Sequence, residues 1–118
     1  MNIISFFLTL QAQLRILHWQ TSSYARHMAY GSTYDTIEEL ADDFIETYQG
    51  KYGRITAEEI INVKNIVAED LNVMIGEAIQ ALIGLDSTVL KESDSDLKSI
   101  RDDVVVALNK LRYLLTLE

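Results

Sequence analysis

Apolar side chains recur at three- and four-residue intervals along almost the whole chain, the period of helices with one face turned inward. Ile3, Phe7, Leu10, Leu14 and Leu17 mark the first such face, and the helix they predict ends near Trp19 or Gln20. Thr21, Ser22 and Ser23 then offer hydroxyls to cap a second helix. That helix is predicted from about Tyr24 to Tyr48, with Ile37, Leu40, Ala41, Phe44 and Tyr48 toward a core and Gly50 as its C-cap, Gly53 following in the loop.

Residues 51–65 carry a weaker pattern. Thr56 and Glu59 have capping-box spacing, which predicts a short helical turn within this connection. A third helix reads from about Ile66 to Leu90, with Leu71, Ile75, Ala78, Leu82, Leu85 and Val89 as its stripe. The polar run KESDSD makes the next turn, with Ser93 or Ser95 as the expected cap. A last helix spans about Asp96 to Leu117 along the seam Leu97, Ile100, Val104, Leu108, Leu111 and Leu115. Four amphipathic helices without a strand pattern predict an all-α four-helix bundle. The segment between helices 2 and 3 is short and either irregular or helical.

Length and composition narrow the picture. A chain of 118 residues suits one core, so residues 1–118 are expected to form a single domain. There is no proline and there are only five glycines, which leaves few helix breakers. The absence of cysteine excludes disulfides, cysteine-based zinc sites and thiol catalysis. A net charge of −8 disfavours nucleic acid as a partner, since DNA binders cluster Lys and Arg against phosphates. The apolar start IISFFLTL lacks the charged flank and small-residue site of a signal peptide. No run approaches the ~18 apolar residues of a membrane span, so no membrane partner is expected.

Candidate chemistry concentrates between His18 and Glu46, a segment holding both histidines, the single tryptophan and many carboxylates. Histidine and carboxylate are the ligands of iron, zinc and manganese. At about 100° per residue, with His27 at zero, Glu38 falls near 20°, Asp42 near 60° and Glu46 near 100°. Ile37, Leu40 and Phe44 fall near −80° to −140° on the same count, so the acidic arc borders the core face. Asp42 and Glu46, one turn apart, can chelate one ion. The competing reading is structural: 18 acidic residues make such a pair expected by chance, and a His-Trp pair at a helix end often only packs. His27 in the first turn of a helix gains nothing from the macrodipole when charged, which favours the neutral ring.

The segment resembles the metal-site region of the Dps miniferritins, ferritin-like proteins whose first helix ends in a His-Trp pair. In that family the next helix carries a second His, then Asp at plus four, Tyr at plus seven, Asp at plus fifteen and Glu at plus nineteen. Here His18–Trp19 matches the pair, His27 the second His, Tyr34 the tyrosine, Asp42 the later aspartate and Glu46 the glutamate. The match covers residues 10–50 and is similar above all to small, phage-encoded Dps-like proteins. Their phrases stand here as His18–Thr21, Tyr24–His27, Tyr34–Asp35, Tyr48–Gly53 and the C-terminal Tyr113–Leu117. Two departures stand out. Gly31 replaces the plus-four aspartate, and the connection to the second His is three residues short. Asp35 and Glu38 are the substitutes at hand, although Asp35 lies near 80° and must reach around the helix. There is no Glu-x-x-His motif for the di-iron site of longer ferritins.

The resemblance implies a ferritin-like bundle that forms homo-oligomers, with the dimer as the site-forming unit and a twelve-subunit cage as the family's assembly. The site it implies lies between subunits: His18 and His27 from one chain, Asp42 and Glu46 from its partner. Iron is the implied ligand, with zinc and manganese also suited to this donor set. The implied activity is Fe(II) oxidation by peroxide or oxygen with storage of the ferric product, in the cytoplasm of a phage-infected host. The alternative is a non-enzymatic phage protein, a structural or interaction part that uses the bundle only as scaffold, in which the virion is also a location.

Overall fold

A computed structural model describes residues 1–58, 63–65 and 71–117. They form α1 (Ile3–Gln20), α2 (Tyr24–Tyr52), α3 (Leu71–Ile83), a single turn α4 (Leu85–Thr88) and α5 (Ser95–Leu114), with no strand among them. The all-α helical bundle expected from the periodicity is what forms.

Each apolar stripe closes on the same core. Phe7, Leu14, Ile37, Phe44, Ile75, Leu82, Leu97, Val104, Leu108 and Leu111 are all fully buried within it. Neighbour contacts set the helix directions. Phe7 meets Phe44 with ring centroids 5.6 Å apart, and His18 meets His27, so α1 and α2 run antiparallel. Lys51 and Tyr52 at the end of α2 bond Asp94 and Asp96 at the start of α5, so these two also oppose. On α3, Gly76 lies against Arg112 while the Leu82 carbonyl accepts from Arg101 at 3.0 Å, so α3 runs against α5. It follows that α2 and α3 are parallel, and the chain must travel back along the bundle between them.

A polar stripe on α1 guides that return. Asn2 Nδ2 donates to the Thr56 carbonyl at 2.8 Å, and the Glu58 amide donates to Ser5 Oγ at 2.8 Å. Buried Gln13 donates to the Lys64 carbonyl at 2.7 Å and accepts from the Lys64 amide at 3.0 Å. Gln20 reaches the Asn65 side chain beyond it. The order 56, 58, 64, 65 follows the order 2, 5, 13, 20, so the crossover runs parallel to α1. The bundle is therefore up-down-down-up, with one long crossover between its second and third helices.

Several boundaries differ from expectation. α2 continues through Gly50 to Tyr52, and Gly53 is the C-cap, at φ 91° and ψ 170°. Gly50 stays helical because the positive-φ turn that ends the helix falls at Gly53 instead. The third helix breaks at Gly84, whose carbonyl accepts from the Ser87 and Thr88 hydroxyls at 3.1 and 2.9 Å, a local competition with helical bonding. Neither Ser93 nor Ser95 caps the last helix. Asp94 takes that place, and its fully buried carboxylate accepts from the Lys91 amide, Tyr52 and Lys51 instead of from the helix amides. Glu59 of the anticipated capping box and the expected helix start at Ile66 lie outside the described residues.

Candidate functional site

The loop Thr21–Ser23 joins α1 to α2 in three residues and throws their ends together. Ser23 caps α2, its hydroxyl accepting from the Arg26 amide at 3.2 Å, as its side-chain chemistry suggests. The last carbonyls of α1 lack helical donors. Leu17's is taken by the Thr21 amide, and His18's by His27 Nδ1 at 2.8 Å. His18 Nδ1 returns the contact, donating to the His27 carbonyl at 2.8 Å. A carbonyl can only accept, so both rings carry their proton on Nδ1. The two imidazoles stack between these bonds, with centroids 3.7 Å apart and planes inclined by 21°.

In the neutral ring this clasp leaves the Nε2 lone pair for a ligand, the arrangement seen when a ligating histidine is oriented by a second-shell carbonyl. The stack limits what those nitrogens can do together. A metal lies in the plane of each ring it binds, roughly 2.0–2.1 Å from the nitrogen. The planes of two stacked rings with centroids 3.7 Å apart and only 21° between them do not meet at that reach. As placed, the pair is two nitrogen donors and not one chelate.

Gly31 explains itself in the same place. A Cβ added there would lie 3.0 Å from both Cε1 and Nδ1 of His18. The position that carries an aspartate in the resembling family is covered here by an imidazole ring.

The carboxylates lie elsewhere. Asp35, Glu38, Asp42 and Glu46 are all exposed on α2. Asp42 and Glu46 stand fifteen and nineteen residues beyond His27, roughly 22 and 28 Å along the helix axis. One chain cannot bring them to its own histidines, and among the described residues no three His or acidic side chains converge. Tyr34 is half-buried with Arg15 over its ring at 3.9 Å, and the same guanidinium lies 5.9 Å from the Trp19 ring. Trp19, Tyr24 and Met28, close to the two histidines in sequence, have 72%, 76% and 53% of their surfaces exposed. Sequence reasoning overlooked the coupling of Gly31 to His18. The available signal was a glycine one helical turn after a histidine, in a helix interior where glycine is otherwise disfavoured.

The other polar centre joins the far ends of α2 and α5. Asp94 accepts from Lys51 Nζ at 2.6 Å, Tyr52 Oη at 2.5 Å and the Lys91 amide at 2.8 Å. Those bonds, Lys51's first, hold the Asp94 carboxyl well below the usual carboxylate range. The same contacts raise Lys51, through Asp94 and then Asp96, and the Tyr52 phenol, through Asp94. Lys91 lies 4.9 Å from the Tyr52 ring centre. This cluster is satisfied internally and fastens two helix ends.

Fold and clasp thus define an all-α bundle with a histidine pair at one end. By sequence the chain belongs to DUF5856, a family of unknown function, whose signature matches residues 18–115. It is also 27% identical over 115 residues to an uncharacterized 14.6 kDa protein encoded in the mobD-ri intergenic region of Enterobacteria phage T4. That alignment covers 98% of this chain and 86% of the phage protein. No solved structure matches. Among the described residues, no helix is long and apolar enough to cross a membrane.

Proposed function

We propose that this chain is a Dps-like iron protein whose sites form between two copies, His18 and His27 from one and Asp42 and Glu46 from the other. The observation that carries this reading is the clasp: both Nδ1 protons are committed to carbonyls 2.8 Å away, which orients each Nε2 as a ligand. The crossover topology is that of ferritin-like bundles, and the exposed Trp19, Tyr24 and Met28 provide apolar surface for a second copy. Carboxylates tolerate the change from ferrous to ferric iron, and the charge of −8 draws cations in. Iron here is substrate and cargo, oxidised by peroxide or oxygen and stored as ferric product. Zinc and manganese are the competing ions. Asp35 and Glu38 are secondary candidates for a ligand.

One observation favours a second reading, a non-enzymatic phage structural or interaction protein. The reciprocal bonds and the stack already give both histidines a complete structural role. Anaerobic Fe(II) titration followed by peroxide separates the two. The wild type should bind Fe(II) and develop ferric absorbance, and His27→Ala and Asp42→Ala should each lose both. Mixing the two variants should then restore part of the uptake, because one of the two sites in a mixed dimer receives both native halves. Absence of uptake by the wild type, or uptake undiminished in either variant, rejects the site and leaves the second reading. Size-exclusion mass distinguishes a dimer from a twelve-subunit shell.

A further inference from the structure

We infer that Gly31 is the positioning residue of the histidine pair: its missing side chain is the space in which the His18 ring lies. The ring position follows from these contacts alone; its consequence for ligand binding rests on the metal-site reading above.

The backbone gives no reason for glycine here. Gly31 lies inside α2, and the only positive φ in the described chain belongs to Gly53. A glycine in a helix interior weakens the helix relative to alanine. Room for a neighbour is what remains. An added Cβ would stand 3.0 Å from His18 Cε1 and Nδ1, and 4.0 Å from Nε2. The ring cannot swing aside freely, because Nδ1 is bound to the His27 carbonyl at 2.8 Å and one face is stacked on His27 at 3.7 Å. Any side chain at position 31 therefore acts on His18 first, and through it on the tautomer that leaves Nε2 open.

The consequence is chemical. A side chain at position 31 needs the His18 ring to give by a few tenths of an ångström, so a carboxylate there competes with this placing of the imidazole. In this chain each imidazole offers a single nitrogen, and the Asp42 and Glu46 carboxylates must come from a second copy. Such a donor set leans toward zinc and the later divalent metals more than a half-site containing aspartate would.

The test starts with metal-free protein. In ¹⁵N-labelled wild type, both imidazoles should show protonated Nδ1, and their carbon-bound ring protons should carry the upfield shifts of stacked rings. In Gly31→Ala the His18 signals should lose both features while circular dichroism shows the helices retained. A thermal cycle guards against a general folding effect. Gly31→Ala should raise Tm in a His18→Ala background, where only helix propensity acts, and should lower it or raise it less with His18 present. Equal Tm gains in both backgrounds with unchanged His18 signals would overturn the inference. Zn(II) titration then reads the ligand consequence, with an expected loss of at least tenfold in affinity for Gly31→Ala. If the wild type binds no Zn(II) or Fe(II) while the metal-free results hold, Gly31 still positions His18 and the metal-site reading is what fails.

Discussion

The crossover hangs on α1 through buried Gln13, and replacing that side chain tests the topology directly. Gln13 makes two bonds to one residue, donating to the Lys64 carbonyl at 2.7 Å and accepting from its amide at 3.0 Å. Each bond contributes about 1 kcal/mol net. Truncation to alanine removes both and leaves two backbone groups to find water. Two gains oppose the loss: about 1 kcal/mol of side-chain ordering is released, and alanine is a better helix former. Gln13→Ala should therefore cost about 0.5–1 kcal/mol, or roughly 2–4 °C in Tm for a chain of this size. Gln20→Ala is the control, since its partner is only the exposed Asn65 side chain, and it should cost under about 0.5 kcal/mol. Gln13→Glu keeps the acceptor but turns a carboxylate toward the Lys64 carbonyl, so it should be worse than alanine at neutral pH. Below about pH 4 that acid protonates and can donate again, and the gap to wild type should narrow. Urea unfolding followed by circular dichroism measures all three. Equal, near-zero losses for Gln13→Ala and Gln20→Ala would refute the reasoning, because the crossover would then be held by something other than this pair.

Two further predictions concern positions where the structure departs from expectation. Gly53, at φ 91° and ψ 170°, occupies a region nearly closed to other residues, so Gly53→Ala should cost about 1–3 kcal/mol. Gly50, helical and unobstructed, should give about 0.5–1 kcal/mol of added stability as Gly50→Ala, and thermal melts of the two variants should move in opposite directions. Asp94 governs the acid limb. Its folded carboxyl titrates below the unfolded one, so its contribution is complete above the ordinary carboxylate range and fades as pH falls toward the folded value. Asp94→Asn should lower stability at pH 7 and flatten the decline below about pH 4, read from urea midpoints across pH. An unchanged acid limb would mean that the Lys51–Tyr52–Asp94 cluster contributes nothing to acid stability. Lys51 titrates in the opposite sense: its raised folded value makes its contribution complete below its unfolded value and lost as pH rises toward the folded one.

Periodicity alone determined the helices and most of their inward faces, because burying apolar surface at a 3.6-residue period depends on local spacing. Ile37, Ala41 and Phe44 were legible in this way, as was the Thr21–Ser23 cap that brings His18 near His27. Three features were decided only in three dimensions. The stripe Asn2, Ser5, Gln13 and Gln20 reads as an ordinary wet helix face until the crossover is laid along it. Asp94 reads as one acid in a polar turn, and its burial depends on Lys51 and Tyr52 more than forty residues away. The candidate site divides along the same line. Spacing could select His18, His27, Asp42 and Glu46 as ligand types, but helix rise places the carboxylates far from the histidines of their own chain. Gly31 reads in one dimension as a missing ligand. The tertiary structure makes it the place against which an imidazole ring packs, because a Cβ there would stand only 3.0 Å from that ring.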